Sequence, residues 1–423
     1  MSQNNSSKIA QKKTRLVAFY LPQFHPFPEN DKWWGKGFTE WTNVTKAAPL
    51  FIGHYQPHLP ADFGFYDLRV QEVRREQAVM AKSYGIDAFC YHFYWFSGKR
   101  LMERPLDEML ADKEIDMPFC LCWANENWTR RWDASEHEIL IAQDYLPNDP
   151  VDSIKAMEPY LRDARYLTQD GKKLIVVYRP QHLPDSTAWT DAWRKYAKDA
   201  GLGDLYLVCA LTHGNWEYAK YGFDGGVEFP PHNVGSAHST ESMSQLGFTS
   251  NFAGICVDFS AVAESYLNRV RSEASNVFRT VYPSWDNTAR RKHLALITLN
   301  GVPDNYEHWL DRSIKQTETD FPGAERLVFI NAWNEWAEGC HLEPDLKHGH
   351  AFLQATKNAK NGSALNGWSS RGIAAECGPS AQKKFISSAV NLRVVRPKRQ
   401  TFLRSAIHRV RDMIRFIRGK HIR

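Results

Sequence analysis

Glu335 and Glu338 are the residues whose type and spacing most directly suggest chemistry. They lie in the run Trp333-Asn334-Glu335-Trp336-Ala337-Glu338-Gly339. Side chains at i and i+3 of a helical turn have Cβ atoms ~5–6 Å apart. Retaining glycosidases hold their two carboxyl groups ~5–5.5 Å apart. In that chemistry one carboxyl protonates the leaving oxygen while its partner stays ionised. Close pairing and partial burial, here between Trp333 and Trp336, are the means of separating the two pKa values. A bare Glu-x-x-Glu is commonly a solvated turn. Its place after an apolar strand, interleaved with tryptophan, weighs for a site instead.

These carboxylates need a scaffold. Eight short apolar runs read as strands: 15–21, 86–94, 118–123, 174–178, 205–210, 225–229, 278–282 and 327–332. Helical patterns fill 68–84, 105–113, 151–168, 187–200, 260–272, 304–319 and 350–360. Gly85 and Gly201 fall where helices should end. Nearly continuous apolar strands suit a parallel sheet covered on both faces. The fold class expected is α/β, a single (β/α)8 TIM-type barrel with enlarged loops. A doubly wound open sheet competes, but its glycine-rich first turn is missing: the chain reads Leu21-Pro22-Gln23-Phe24-His25-Pro26 there.

In a barrel, the carboxyl ends of the strands build the active site. Read off those ends, the candidate substrate-binding residues are Tyr20, Gln23, His25, His92, Trp95, Trp123, Asn125, Glu126, Tyr178, Glu228, Tyr282, Trp285, Asp286, Asn334 and Trp336. Trp41, in the long first loop, joins them, although plain packing fits that loop equally well. Asp286-Asn287 also fits an Asx turn. His25 and His92 lack a third evident ligand, so sugar hydrogen bonding or a structural role is favoured over a metal. No metal and no cofactor are expected. Aromatics, amides and carboxylates gathered at one rim suit a sugar, whose C–H faces pack on rings and whose hydroxyls bond to polar groups.

The inventory of the 423-residue chain excludes other classes. It is 43% hydrophobic and 24% charged, which rules out wholesale disorder and fibrous repeats. There is no GxxxxGK[ST] loop, strand-linked GxGxxG, GxSxG elbow or HExxH. No Asp-x-Asp pair is present to hold a metal ion on a nucleotide-sugar diphosphate. The seven cysteines include no CxxC pair. The polar start carries no apolar signal core, and no run approaches 18 apolar residues, so a cytoplasmic location is expected.

Four ordered motifs carry a resemblance: Phe19-Tyr20-Leu21-Pro22-Gln23-Phe24-His25, Gly37-Phe38-Thr39-Glu40-Trp41, Trp123-Ala124-Asn125-Glu126 and Asn334-Glu335-Trp336-Ala337-Glu338-Gly339. Together they resemble the WbsX-type family, described as glycosyltransferases or as glycoside hydrolase family 99-like proteins, over residues 14–360. Family 99 proper comprises retaining endo-acting α-mannan enzymes on a (β/α)8 barrel. The resemblance implies that Glu335 is the base that takes the proton of the substrate 2-hydroxyl. The sugar's own oxygen then displaces the leaving group through an anhydro-sugar. Glu338 would protonate the departing oxygen and later activate water or an acceptor. Gln23-Phe24-His25 belongs to the WbsX-type branch rather than to family 99, which leaves mannose specificity open. That branch looks like part of surface-polysaccharide assembly, such as O-antigen or capsule. A hydrolase or transglycosylase, a transferase using an activated donor and a catalytically dead sugar-binding barrel remain the readings, and the intact glutamates count against the last.

The net charge of +5 averages two unlike parts. Residues 391–423 carry eleven Lys/Arg and one acid, whereas the rest of the chain balances at −5. Residues 361–390 read as a linker. Within the tail, Leu403, Ile407, Val410, Ile414 and Ile417 recur at helical spacing, with Arg404, Arg411, Arg415 and Arg418 opposite. A basic amphipathic helix is expected there, bound to the anionic inner face of the membrane and close to lipid-linked oligosaccharide. Docking on the acidic body is the alternative. No nucleic acid partner is expected, because no aromatic stacking platform interleaves the charge.

Overall fold

The computed structural model of the protein describes residues 14–369 apart from 131–134, 234–245, 270–275, 322–325 and 365–366. The basic tail and most of the linker lie outside the described residues. The barrel strands are β1 (Arg15–Tyr20), β2 (Ala88–Phe96), β3 (Phe119–Trp123), β4 (Lys172–Val177), β5 (Leu205–Leu211), β6 (Gly225–Glu228), β7 (Val277–Val281) and β8 (Leu327–Ile330). Each is parallel to both neighbours, and β1 closes the ring by pairing with β2 and β8 at once. Val17 lies opposite Ala88, and Ala18 opposite Ile330. The strands are buried almost throughout, as runs such as LYLVCAL in β5 require of a sheet covered on both faces.

Among the described residues, seven longer helices surround the barrel: α1 (Gln71–Ser83), α2 (Glu103–Ala111), α3 (Asp149–Leu161), α4 (Ser186–Asp199), α5 (Phe259–Leu267), α6 (Pro303–Asp320) and α7 (Ala351–Lys360). Local chemistry sets their ends. The Asp185 and Asp258 side chains accept from the Ala188 and Ala261 amides at the starts of α4 and α5. Gly85 and Gly201, at φ +94 and +66, follow the last turns of α1 and α4. The expected 151–168 helix stops at Leu161. The Asp163 carboxylate takes the Arg165 amide at 2.9 Å, and Arg165 caps the carbonyls of Leu110, Asp112 and Ile115. Thr168–Gln169 then forms a short antiparallel strand against the start of β4. Between β5 and β6 lies only the 3-10 turn Ala219–Tyr221.

The enlarged loops gather at the carboxyl ends of the strands. The segment between β1 and α1 holds two short helices, Pro28–Trp34 and Trp41–Val44. A hairpin, Trp128–Arg130 with Ser135–Ile141, follows β3. Ile255–Asp258 and Leu296–Leu299 pair in parallel outside the barrel over a small core that includes Leu50, Phe51, Cys256 and Ile297. The start of the expected linker is anchored: the Trp368 indole donates to Glu264 at 3.0 Å and the Ser369 amide to Asn305 at 2.7 Å. Among the described residues no helix is long and apolar enough to cross a membrane.

Candidate active site

The paired glutamates do not lie on an α-helical turn. Beyond β8 the chain forms a tight antiparallel hairpin, Asn334–Glu335 against Cys340–His341. Trp336–Glu338 is a 3-10 turn between those arms. Gly339 closes the turn at φ +56, where a Cβ would stand 2.9 Å from the Asp286 carbonyl oxygen. Only glycine meets both demands. The hairpin is clipped to its neighbours on two sides. The Asn334 carboxamide accepts from the Leu21 amide at 2.7 Å and donates to the Leu21 carbonyl at 3.0 Å. The Asp286 amide donates to the Glu338 carbonyl at 2.7 Å.

A residue that spacing alone did not single out joins the two carboxylates. Arg290, on the helical turn Thr288–Arg291 beyond β7, reaches Glu335 through Nη2 at 2.9 Å and Glu338 through Nη1 at 2.6 Å. The fork also approaches Glu40 at 3.4 Å. Glu40 is fully buried, and neither of its oxygens has a properly aligned hydrogen bond. Burial opposes the charge on Arg290, but Glu40, Glu338 and Glu335 outweigh it and hold the guanidinium firmly protonated. Burial pushes the Glu40 carboxyl up; Arg290 works against that rise and Glu338 adds to it.

These groups open into a cleft at the carboxyl ends of the strands. Glu335, Glu338 and Arg290 form one side, and Gln23, His92, Tyr94, Glu126, Trp128, Tyr178 and His232 line the rest. Tyr94 and Trp128 stack at 5.7 Å. The Tyr178 hydroxyl meets His232 Nε2 at 2.9 Å, and Glu126 is ion-paired with Arg179. Gln23 Nε2 is buried without a hydrogen-bond partner, whereas the Cys122 thiol lies against the His92 ring. Buried polar atoms are normally satisfied, so a ligand's oxygen would complete Gln23.

Of the residues read from the sequence, Glu335, Glu338, Gln23, His92, Glu126 and Tyr178 therefore meet in one cleft. The others stand behind its walls. Strand alternation explains Trp95: His92 and Tyr94 face the cleft, while Trp95 turns away and packs edge-on against Trp123 at 5.9 Å. Trp123 in turn packs on Trp189 and Trp193 of α4. Asn125 pins the end of β4 through the Arg179 amide and carbonyl, at 2.8 and 2.9 Å. The Tyr20 hydroxyl donates to Gln77 at 2.6 Å. Trp41 donates to the Tyr66 carbonyl and packs on Trp336, whose own indole donates to Glu343 at 2.6 Å. Glu228 pairs with Arg269 at 3.9 Å, and Tyr282 packs edge-on to Phe259 and Trp309. His25 lies beside Phe27, and burial lowers its pKa to about 4. Trp285 and Asp286 face a second cleft, where Asp286 accepts from His54 and Gln56 at 2.6 and 2.7 Å. Arg290, His232, Tyr94 and Trp128 line the cleft without being among the candidates read from the sequence. Glu40 stood in a recognised motif without being picked out.

The family described as Glycosyltransferase WbsX matches residues 16–356. The protein WxcX of Xanthomonas campestris pv. campestris, described as uncharacterized, is 46% identical over 344 residues, 81% of this chain. The chain spans about half the length of the curated relatives it matches, 49% of WxcX. Among solved structures, a glycoside hydrolase-like protein superimposes with TM-score 0.50 at 14% identity, covering 85% of this chain and 96% of the other. A GH99 endo-alpha-mannosidase from Bacteroides thetaiotaomicron gives 0.49 at 13% identity, covering 82% and 97%. At such identity the first of these likenesses speaks for the barrel fold alone. The family match speaks for descent: the chain belongs to the WbsX glycosyltransferase family.

Proposed function

We propose that the protein is a retaining glycoside hydrolase or transglycosylase acting on a bacterial surface glycan or its lipid-linked precursor. The observation that carries this reading is the convergence of Glu335 and Glu338 on one guanidinium at the wall of an aromatic cleft. Both carboxylates bond the same guanidinium, Glu335 through Nη2 and Glu338 through Nη1, which holds them on one side of the cleft, where a single sugar can meet both. Glu335 takes the proton of the sugar 2-hydroxyl, and that oxygen attacks C1. The C1–leaving-oxygen bond breaks as Glu338 donates its proton to the departing oxygen. Water or an acceptor hydroxyl then gives its proton to Glu338 and attacks C1; the C1–O2 bond of the anhydro ring breaks as Glu335 returns its proton to O2, with overall retention. Arg290 fixes both carboxylates and offsets their charge. Glu338 leaves Nη1 when it turns to the leaving oxygen.

Transfer from an activated donor is the second reading. The family's own description as glycosyltransferase favours it. Defined surface-glycan fragments, incubated with and without nucleotide-sugar donors, separate the two when the anomeric configuration of products is followed by NMR. Donor-independent turnover with retention supports the first reading. Glu335→Gln and Glu338→Gln should each abolish turnover while the fold stays intact; full activity in either removes the assignment. The tail is proposed to hold the enzyme on the inner face of the cytoplasmic membrane through Arg404, Arg411, Arg415 and Arg418. Deleting residues 391–423 should release it from anionic vesicles, and unchanged binding refutes that role.

A further inference from the structure

The hairpin that carries the glutamates has a second face. On it, His341 of the return arm meets His58 from the loop between β1 and α1, and Asp345 from just beyond the hairpin. Their ligating atoms all lie within 4.8 Å of one another, and all three residues are buried. We propose that these residues bind a divalent transition-metal ion of the zinc class, which braces the hairpin from behind.

The geometry fits such an ion. His58 Nδ1 and His341 Nε2 are 3.0 Å apart. Zinc–nitrogen bonds of ~2.0–2.1 Å place neighbouring nitrogen ligands ~2.9–3.4 Å apart for angles from square to tetrahedral. Asp345 Oδ2 stands 3.9 Å from His341 Nε2, so a small side-chain adjustment closes the triangle. The tautomer of His341 is set from outside: Nδ1 lies 2.9 Å from the Glu343 carbonyl, which can only accept. Nε2 therefore presents its lone pair to the centre of the group, the arrangement outer partners impose on metal-binding histidines. The other oxygen of Asp345 accepts the His348 amide at 2.5 Å, which aims Oδ2 inward. Without an ion, His58 Nδ1–H donates to His341 Nε2. With one, His58 takes its Nε2–H tautomer and no net proton is released. The group borders the second cleft, from which water can supply a fourth ligand.

The ion would not touch the sugar. Trp336, between the two glutamates, lies flat on His341 with ring centroids 3.7 Å apart. The loop that brings His58 also brings His54 and Gln56 to Asp286, whose backbone holds the Glu338 carbonyl. Metal binding would thus tie that loop, the hairpin and the end of β7 into one unit.

The test uses the untagged full-length protein, stripped with a chelator and dialysed. Zinc, cobalt, nickel and manganese are each titrated against a competing chromophoric chelator, with metal content measured by elemental analysis and melting by circular dichroism. One zinc equivalent and a higher melting temperature are expected for the wild type. His58→Gln and Asp345→Asn should weaken binding by more than the ~10–100-fold that loss of an outer partner costs, and should cancel the zinc-dependent rise. Should a variant fail to fold, nitrogen-15 histidine NMR of the wild type replaces it: zinc should shift two imidazoles and leave the rest. Absence of stoichiometric binding of all four metals, unchanged affinity in folded variants, or histidine spectra indifferent to zinc would each overturn the proposal.

Discussion

Replacing Arg290 by methionine should cost stability in a manner that depends on pH. The guanidinium is buried among Glu40, Glu335 and Glu338, and methionine keeps much of its length without its charge. Removing one member of a buried ion pair typically costs ~3–5 kcal/mol, because the charge left behind is uncompensated. Unfolding entropy of ~2.1 cal/mol/K per residue over the roughly 330 described residues gives about 0.7 kcal/mol/K, so that loss lowers the melting temperature by ~4–7 °C. Burial already raises the Glu40 carboxyl, so without the guanidinium its uncompensated charge is relieved by protonation as pH falls, and the deficit should be larger at pH 8 than at pH 5. Adding Glu40→Gln should recover part of the loss at pH 8, since it removes one uncompensated charge. Urea unfolding and thermal melts of wild type, single variants and the double variant at both pH values measure all of this. A deficit under about 1 kcal/mol, or one equal at both pH values, would refute the reasoning that Arg290 acts as the counter-charge of the site.

Other substitutions probe the supports of the hairpin. Gly339→Ala places a Cβ 2.9 Å from the Asp286 carbonyl at positive φ; turnover should fall far more than the melting temperature, and equal losses would speak against a positioning role. Asn334→Ala removes two buried hydrogen bonds to the Leu21 backbone and should cost ~1–3 kcal/mol in chemical denaturation. Glu343 accepts from Trp336, Tyr66 and Gln77, yet burial outweighs those donors and raises its pKa from 4.5 to about 7. The folded state then keeps a proton that the unfolded state has released. Stability from this group is full below pH 4.5 and is lost as pH rises toward 7. Glu343→Gln should flatten that part of the stability–pH curve, and an unchanged slope would sink the assignment.

The barrel strands were legible because burial on both faces writes itself as short unbroken apolar runs, and β5 is the plainest case. The hairpin was not, because a Glu-x-x-Glu spacing looks the same on an α-helix and on a 3-10 turn. What distinguishes them is Gly339 at positive φ against Asp286, a contact across more than fifty residues of chain. Strand ends were located well enough to gather Gln23, His92, Glu126 and Tyr178, yet a shift of one residue on β2 selected Trp95 instead of Tyr94. Arg290 lies four residues beyond Asp286, too far past the strand end for strand-end position to single it out. The one available signal was charge: two glutamates meeting in a largely buried site call for a cation, and Arg290 follows β7 closely. His58 could not be linked to His341 and Asp345 by spacing, because the loop holding His58 belongs to the first barrel unit and the other two to the last.

The position of β1 between β2 and β8 has a consequence for synthesis. One edge of β1 can be covered once β2 emerges, but the other waits for Leu327, more than three hundred residues after Arg15. At ~5–20 residues per second, a ribosome needs roughly 15–60 s to deliver that partner. For that interval the sequence Arg15–Tyr20, apolar after its first residue, presents an open row of amides and carbonyls. A holdase that covers extended apolar segments should therefore raise the soluble fraction on expression, and an unchanged soluble fraction would speak against this exposed edge.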